Sequence, residues 1–302
     1  MKYRLEPYNG MKTRFICPKC NSKNSFTRYI DTETNNYIDL NVGRCNKEIN
    51  CGYHKKPKDF FTENNISINS SFLLRNEIIK EKPPDYIDFS ILESSLKCYD
   101  NNNFIKFLNT IFDSQTVKSL IEKYYIGTSK HWNGATIFWQ IDEVFKIRTG
   151  KIMLYDSIKG KRIKEPYNHL NWVHKKIKKD DFSLKQTLFG MHLIKDSSEP
   201  IAIVESEKTA IICSVYYPNY IWLATGGLNN LNKQLMRIFK NRSVVLFPDL
   251  GAFEKWSLKV ETFNENGNIK VSDILEKNAT ETEKQNGFDL ADYILKEKDS
   301  SK

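Results

Sequence analysis

Ile201-Ala-Ile-Val-Glu205-Ser-Glu207-Lys208-Thr-Ala210 and Val244-Val-Leu-Phe-Pro-Asp249-Leu-Gly251-Ala-Phe-Glu254-Lys-Trp256 decide how this chain folds. Ile201 to Val204 is apolar throughout and β-branched at three of its four positions. That pattern suits a short strand buried on both faces of a parallel sheet. Glu205 stands where the strand should end, and Glu207 to Tyr217 reads as a helix. Val244 to Phe247 repeats the apolar run and leads to Asp249, with a helix expected from Ala252. Acidic side chains at the carboxyl ends of parallel strands lie where open α/β sheets bind their ligands.

The wording Val204-Glu-Ser-Glu-Lys-Thr-Ala210 and the acid-ended second run resemble the toprim domain of bacterial-type and phage-type primases, topoisomerases and some nucleases. In that family a glutamate ends the first strand and an Asp-x-Asp pair ends a later one, and these carboxylates hold Mg²⁺. Glu205 matches the glutamate and Asp249 the first aspartate, while Gly251 stands in place of the second. The resemblance implies a catalytic set of Glu205, Asp249 and Lys208, with Glu205 and Asp249 holding Mg²⁺ or Mn²⁺. Mg²⁺ takes oxygen ligands and keeps waters, so two or three carboxylates with substrate phosphates suffice. Lys208 either contacts a phosphate or pairs with a glutamate. Glu207 is an alternative ligand whose direction the sequence does not reveal.

Downstream of the first run, Tyr220-Ile-Trp-Leu-Ala224 predicts another strand, followed by Thr225-Gly226-Gly227. Leu231, Leu235 and Ile238 give the next helix an apolar face, and Asn268-Ile-Lys-Val271 fits a last strand. Strands alternating with helices imply a doubly wound sheet. Gly287-Phe-Asp289-Leu-Ala-Asp292 resembles the Asp-x-x-Asp helix that closes many primase toprim domains, and an N-terminal Asp cap explains Asp289 equally.

Upstream, Leu188-Phe-Gly190-Met-His-Leu-Ile194 resembles the segment leading into that domain. A cationic stretch precedes it, with Lys161, Arg162, Lys175, Lys176, Lys178 and Lys179 interleaved with Tyr167, His169, Trp172 and His174. Cations that track phosphates beside rings that stack on bases suit single-stranded nucleic acid, and Arg148 joins this set. A solvated basic face is the plainer alternative. Neither His169 nor His174 is given a role. Ala135–Ile141, Val144–Arg148 and Lys151–Tyr155 look like strands of a small antiparallel sheet, with Thr149-Gly150 as the turn between two of them. Before them, Phe104, Phe107, Leu108 and Ile111, then Val117, Leu120, Ile121 and Tyr124, have helical spacing.

At the N-terminal side, Cys17-Pro-Lys-Cys20 and Cys45-Asn-Lys-Glu-Ile-Asn-Cys51 form two thiol pairs. Two such knuckles fit a zinc ribbon, with Cys17, Cys20, Cys45 and Cys51 as ligands or His54 in place of Cys51. Disulfides fit poorly with a chain lacking a secretion signal. Cys98 and Cys213 are expected to be buried structural thiols. Arg14, Lys19, Arg28 and Arg44 alternate with Phe15, Phe26, Tyr29, Tyr37 and Tyr53 in this region, which implies either template contact or a small aromatic core.

The divisions expected are a zinc ribbon at 1–61, a linker at 62–87, a basic α+β primase-like subdomain at 88–197 and a toprim-like α/β domain at 198–302. The 302 residues carry 46 Lys and Arg against 37 Asp and Glu, a formal net charge of +9. The excess favours a polyanionic partner. No apolar run approaches a membrane span, and Met1-Lys-Tyr-Arg-Leu-Glu is not a signal peptide, so a cytoplasmic protein without membrane contact is expected. The resemblance implies a primase making short RNA primers on single-stranded DNA from nucleoside triphosphates, for a mobile element, plasmid or phage. A catalytically degenerate DNA-binding module and a toprim nuclease are the alternatives. Since no G-x-x-x-x-G-K-[ST] loop occurs, a replicative helicase is expected to be a separate chain.

Overall fold

The computed structural model describes residues 2–64, 82–177, 181–227, 230–264 and 267–299. Two compact units result, Met1–Glu81 and Lys82–Lys302. Residues 65–81 of the expected linker lie outside the described residues, as do Lys178 and Lys179.

The first unit is an antiparallel meander of β1 (Tyr3–Leu5), β2 (Phe26–Asp31), β3 (Gly43–Cys45) and β4 (His54–Lys55), followed by α1 (Pro57–Glu63). Its core is small. Cys17, Phe26 and Cys45 are fully buried, and Phe15, Cys51 and Tyr53 pack on them. Tyr29 stacks on His54, and the Arg28 guanidinium lies 3.8 Å from the Phe15 ring centre.

The second unit begins with α2 (Phe89–Ser95), α3 (Asn103–Ile111) and α4 (Ser114–Tyr124). Asp88, Asn102 and Asp113 cap these helices through their side chains. An antiparallel sheet follows, made of β5 (Gly127–Ser129), β6 (Ala135–Ile141), β7 (Ile147–Met153) and β8 (Leu170–Trp172), with α5 (Val173–Lys176) after it. Thr149-Gly150 is not a turn. Both residues lie inside β7, and the chain reverses at Asp142–Lys146, where the Asp142 carboxylate accepts the amides of Val144 and Lys146. Glycine at 150 serves close packing, since a Cβ there would press on Ile137, Val173 and Trp139.

The remaining elements are β9 (Ile201–Val204), α6 (Glu207–Tyr216), β10 (Ile221–Ala224), α7 (Lys233–Met236), β11 (Val244–Phe247), α8 (Phe253–Glu261), β12 (Ile269–Val271), α9 (Ile274–Asn278), α10 (Glu281–Asn286) and α11 (Leu290–Asp299). The four strands form an all-parallel sheet in the order β10-β9-β11-β12, so the first strand is internal. All four residues of β9 are inaccessible to solvent, because both faces are covered. Ala202 and Val204 join α3, α4, α6 and α11 in one core, while Ile201 and Ile203 join Trp256 and Val260 of α8 in another. Phe138 and Met153 of the antiparallel sheet, with Tyr155 just past β7, belong to the first of these cores. The two sheets therefore share a hydrophobic interior, and the expected subdomain at 88–197 packs with residues 198–302 as one unit. Phe189 seals this junction. Its amide and carbonyl pair with Ala224, and its ring stacks on Tyr124.

Two sequence expectations change here. Past β10, the buried positions are Leu231, Met236 and Phe239, while Ile238 is 39% exposed. A tight 3₁₀ turn at Arg237–Phe239 ends α7 after four residues and rotates the apolar face. Cys98 is exposed rather than buried, whereas Cys213 is fully buried.

Candidate functional site

Val204 ends β9 opposite Phe247 of β11, in register. Glu205 and Asp249 therefore leave adjacent parallel strands at the same edge. Ser206 turns the chain into α6 by accepting the Thr209 amide on its side chain. Pro248 carries no amide to extend the ladder, and Asp249 begins a turn closed by the Ala252 amide. Both acids line a cleft of about 610 Å³, shared with Asp289, Asp292, Lys208, Lys161, Arg162 and Lys164. Gly226 and Gly227, just past β10, form part of its wall.

Burial pushes the Asp249 carboxyl up, the charges of Asp289 and Glu205 push it further, and Lys208 offsets only part, so its pKa reaches about 8. Lys208 carries its charge against burial because Asp289 and Asp292 hold its ammonium at 3.1 and 2.8 Å, well above the usual lysine range. It pairs with aspartates rather than with a glutamate. Asp289 also accepts the Asp292 amide at 2.9 Å, so the cap and the ion pair coexist on one carboxylate.

Glu207 lines the same cleft but is held in an ion pair. Its carboxylate, on a residue 1% exposed, meets the Lys151 ammonium of β7 at 3.0 Å, and that ammonium also donates to the Gly226 carbonyl at 2.8 Å. This pair ties the antiparallel sheet to the parallel one at the cleft wall, and it occupies the Glu207 carboxylate with the Lys151 ammonium. Removing one partner leaves a buried charge alone, at a cost of about 3–5 kcal/mol. Lys151→Met should therefore lower the urea midpoint of the second unit by that equivalent, and Lys151→Met combined with Glu207→Leu should recover most of it. Equal midpoints for the single and double variants would show the charge to be solvated.

Gly251 sits in the left-handed region at φ +78°, with open space where a side chain would stand, and its amide donates to Glu276 at 2.7 Å. Among the described residues no three carboxylates converge as closely as the four thiols below. Glu205 and Asp249 thus suit a hard cation that completes its shell with water and phosphate oxygens. Burial first, then the charges of Asp289 and Glu205, raise the Asp249 carboxyl, and a cation there would offset all three.

Not all expected cations converge on this cleft. Lys161 and Arg162 line it. Lys175 and Lys176 are exposed on α5 and do not. The Arg148 guanidinium is held by Asp142 at 2.7 Å and lines another cleft. Lys151, Asp289 and Asp292 belong to the site, yet only the Asp-x-x-Asp resemblance pointed to the last two.

In the first unit the Sγ atoms of Cys17, Cys20, Cys45 and Cys51 all lie within 4.8 Å of one another, with Cys17–Cys51 at 3.7 Å and Cys20–Cys45 at 4.0 Å. A tetrahedral zinc with Zn–S bonds of about 2.3 Å requires edges of about 3.8 Å. His54 instead places Nε2 at 3.0 Å from the Tyr29 hydroxyl, leaving Cys51 as the fourth ligand. Burial pushes the Cys17 thiol up, but the backbone at Cys20 and Lys19 outweighs it and holds the pKa at about 7. The backbone at Tyr53 lowers Cys51, but burial and the other three thiols push it up to about 12. Four thiols this close do not all ionise without a cation among them.

Residues 1–66 match a zinc beta-ribbon finger family. The N-terminal unit is a zinc ribbon. Residues 102–250 match a domain of unknown function, DUF6371. No curated protein matches the sequence. Among solved structures, the chain is similar to the primase fragment of the bacteriophage T7 primase-helicase protein, at 12% identity and a TM-score of 0.42, over 91% of this chain and 98% of that one. It is also similar to the zinc binding and RNA polymerase domains of the Aquifex aeolicus primase, at 13% identity and a TM-score of 0.36, over 89% of this chain and 73% of that one. No helix among the described residues is long and apolar enough to cross a membrane.

Proposed function

We propose that the chain is a primase-like nucleotidyltransferase that makes short RNA primers on single-stranded DNA, with a toprim-type acidic site. The observation that carries this reading is the emergence of Glu205 and Asp249 from adjacent, in-register parallel strands into one cleft whose rim bears Lys161, Arg162 and Lys164. Glu205 and Asp249 would hold Mg²⁺ or Mn²⁺, which when bound neutralises a triphosphate and activates an attacking hydroxyl. Lys161 and Arg162 bind phosphates of the nucleotide or the strand. Lys208 fixes Asp289 and Asp292 in place, and so sets the negative potential felt by Asp249. The zinc ribbon contributes template contacts, and a replicative helicase acts as a separate partner, in replication of a mobile element, plasmid or phage. Incorporation of labelled nucleotides on single-stranded DNA with Mg²⁺ or Mn²⁺ tests this reading directly.

One observation favours a second reading. The backbone at 251 has no carboxylate, and its amide is taken by Glu276. A chain that binds DNA but incorporates no nucleotide under either metal is a degenerate recruitment module.

Under either reading, binding to single-stranded DNA should weaken with salt. Each neutralised phosphate contributes about 0.7 to the slope of log K against log salt on single strands. Lys161→Glu with Arg162→Glu should flatten that slope by roughly 1.4, two phosphates' worth. Lys175→Glu with Lys176→Glu should have the same effect if α5 touches the strand. A slope unchanged in both pairs would make the basic stretch a solvated face.

A further inference from the structure

Ahead of β8 a row of rings begins at the rim of the acidic cleft. Ile163 lines that cleft, and its carbonyl accepts the His169 amide at 3.4 Å and the His169 Nδ1 at 3.2 Å. The Tyr167 ring stacks on the His169 ring with centres 4.3 Å apart. Trp132, in the turn between β5 and β6, meets His169 at 5.1 Å. His131 packs against Trp132 at 4.2 Å, and its Nε2 accepts from the Asn171 amide of β8 at 2.9 Å. The row is thus fixed from both sides of the sheet's end. His169 is buried and backs its neighbours. Tyr167 is 55% exposed, so one face of its ring rests on His169 and the other is open to solvent.

Trp132 carries the row into a second cleft, of about 630 Å³. Lys97, Lys130, Asn101 and Asn133 line it, and the described residues of its wall include no carboxylate. Both lysines are exposed. Burial and then the charge of Lys176 lower the His131 pKa, so a further exposed cation lies beside the row. At the other end, Lys161, Arg162 and Lys164 line the acidic cleft with Ile163. Cations therefore stand at both ends of a row whose middle is aromatic. That arrangement suits a strand of unpaired bases, which stacks on open rings while its phosphates follow the charges. A duplex keeps its base faces inside and has no use for the Tyr167 ring.

We propose that a single strand of nucleic acid leaves the acidic cleft across Tyr167 and enters the second cleft past Trp132, with a base stacked on each ring. Naming that strand the template rests on the primer-synthesis reading above. Equilibrium binding to the full chain is measured without divalent ion, using a short single-stranded oligodeoxynucleotide, its abasic counterpart and a blunt duplex. Tyr167→Ala should weaken the base-bearing strand by roughly tenfold, the value of one stacked base, and leave the abasic strand and the duplex unchanged. Tyr167→Phe keeps the ring and should bind like the wild type. Neither variant removes a cation, so the dependence on salt should stay that of the wild type. Trp132→Leu should act as Tyr167→Ala does. If Trp132→Leu does not fold, Tyr167→Ala decides, since an exposed ring can be removed without opening the core. Lys97→Glu with Lys130→Glu should flatten the slope of log K against log salt by roughly 1.4, and an unchanged slope would overturn the passage into the second cleft. Equal losses for the base-bearing and abasic strands with Tyr167→Ala, or no loss at all, would overturn the proposal and leave Tyr167 as a cover for His169. Nucleotide incorporation is measured separately. A chain that makes no primers but loses base-dependent binding with Tyr167→Ala fails the primer-synthesis reading and keeps the stacking path.

Discussion

Glu205→Gln should reduce primer synthesis by about a thousandfold while leaving the fold and the zinc content unchanged. The substitution keeps the shape of the side chain and removes its charge. That charge matters because Glu205 and Asp249 share one cleft, where burial and neighbouring acids already push the Asp249 carboxyl up to about 8. Two carboxylates in that state bind a divalent ion more readily than protons alone would neutralise them. With one charge gone the pair becomes a single ligand. Several kcal/mol of transition-state stabilisation are then lost, and each 1.36 kcal/mol is about a tenfold change in rate. Asp249→Asn should act alike, and if the two hold one ion as proposed, the double variant should cost little more than either alone. Gly251→Asp supplies the opposite test. The position has open space for a side chain, and aspartate tolerates its left-handed backbone at about 1–2 kcal/mol. A third carboxylate should lower the Mg²⁺ concentration needed for half-maximal synthesis. Synthesis unaffected by both Glu205→Gln and Asp249→Asn would take the catalytic role away from these two carboxylates.

The legible parts of this protein are those whose signal is local. Ile201–Val204 and Val244–Phe247 are short apolar runs, three of four residues β-branched in the first, that fold as strands, and Glu205 and Asp249 follow directly at their ends. The paired thiols are equally local. What the sequence hid is pairing across distance. Lys208 and Asp292 are 84 residues apart, and Lys151 and Glu207 are 56 apart, so only the packing of the two sheets brings them together. A lysine inside β7 looks like a solvated position until a buried glutamate is known to face it. Gly150 misled for a different reason. Glycine marks turns because it lacks a side chain, but the same lack admits Trp139 and Val173 against the strand. Val144 and Phe145 look like strand residues by composition, yet they lie exposed in the turn that Asp142 closes. Propensity yielded there to a side-chain cap.

Removing zinc should unfold the Met1–Glu81 unit and leave Lys82–Lys302 intact. The reason lies in the composition of the small core. Of the four residues buried to 0% in this unit, Cys17 and Cys45 belong to the thiol cluster, so Phe26 and Val42 are the ordinary hydrophobes that remain, with Ile30 nearly buried. A core of that size does not offset chain entropy by itself. Structural zinc sites contribute about 10–16 kcal/mol of apparent binding energy at neutral pH, which in such a domain is folding energy. The second unit has separate cores and no cysteine cluster among its described residues, so its fold does not depend on zinc. Protein prepared without chelator should hold about one zinc per chain. Cys17→Ala should abolish that zinc and expose the first unit to limited proteolysis, while the melting of the second unit stays where it was. His54→Ala should keep the metal, because His54 spends its Nε2 on the Tyr29 hydroxyl. Metal-free protein whose first unit resists protease as well as the zinc-bound form would mean that the four thiols are only neighbours.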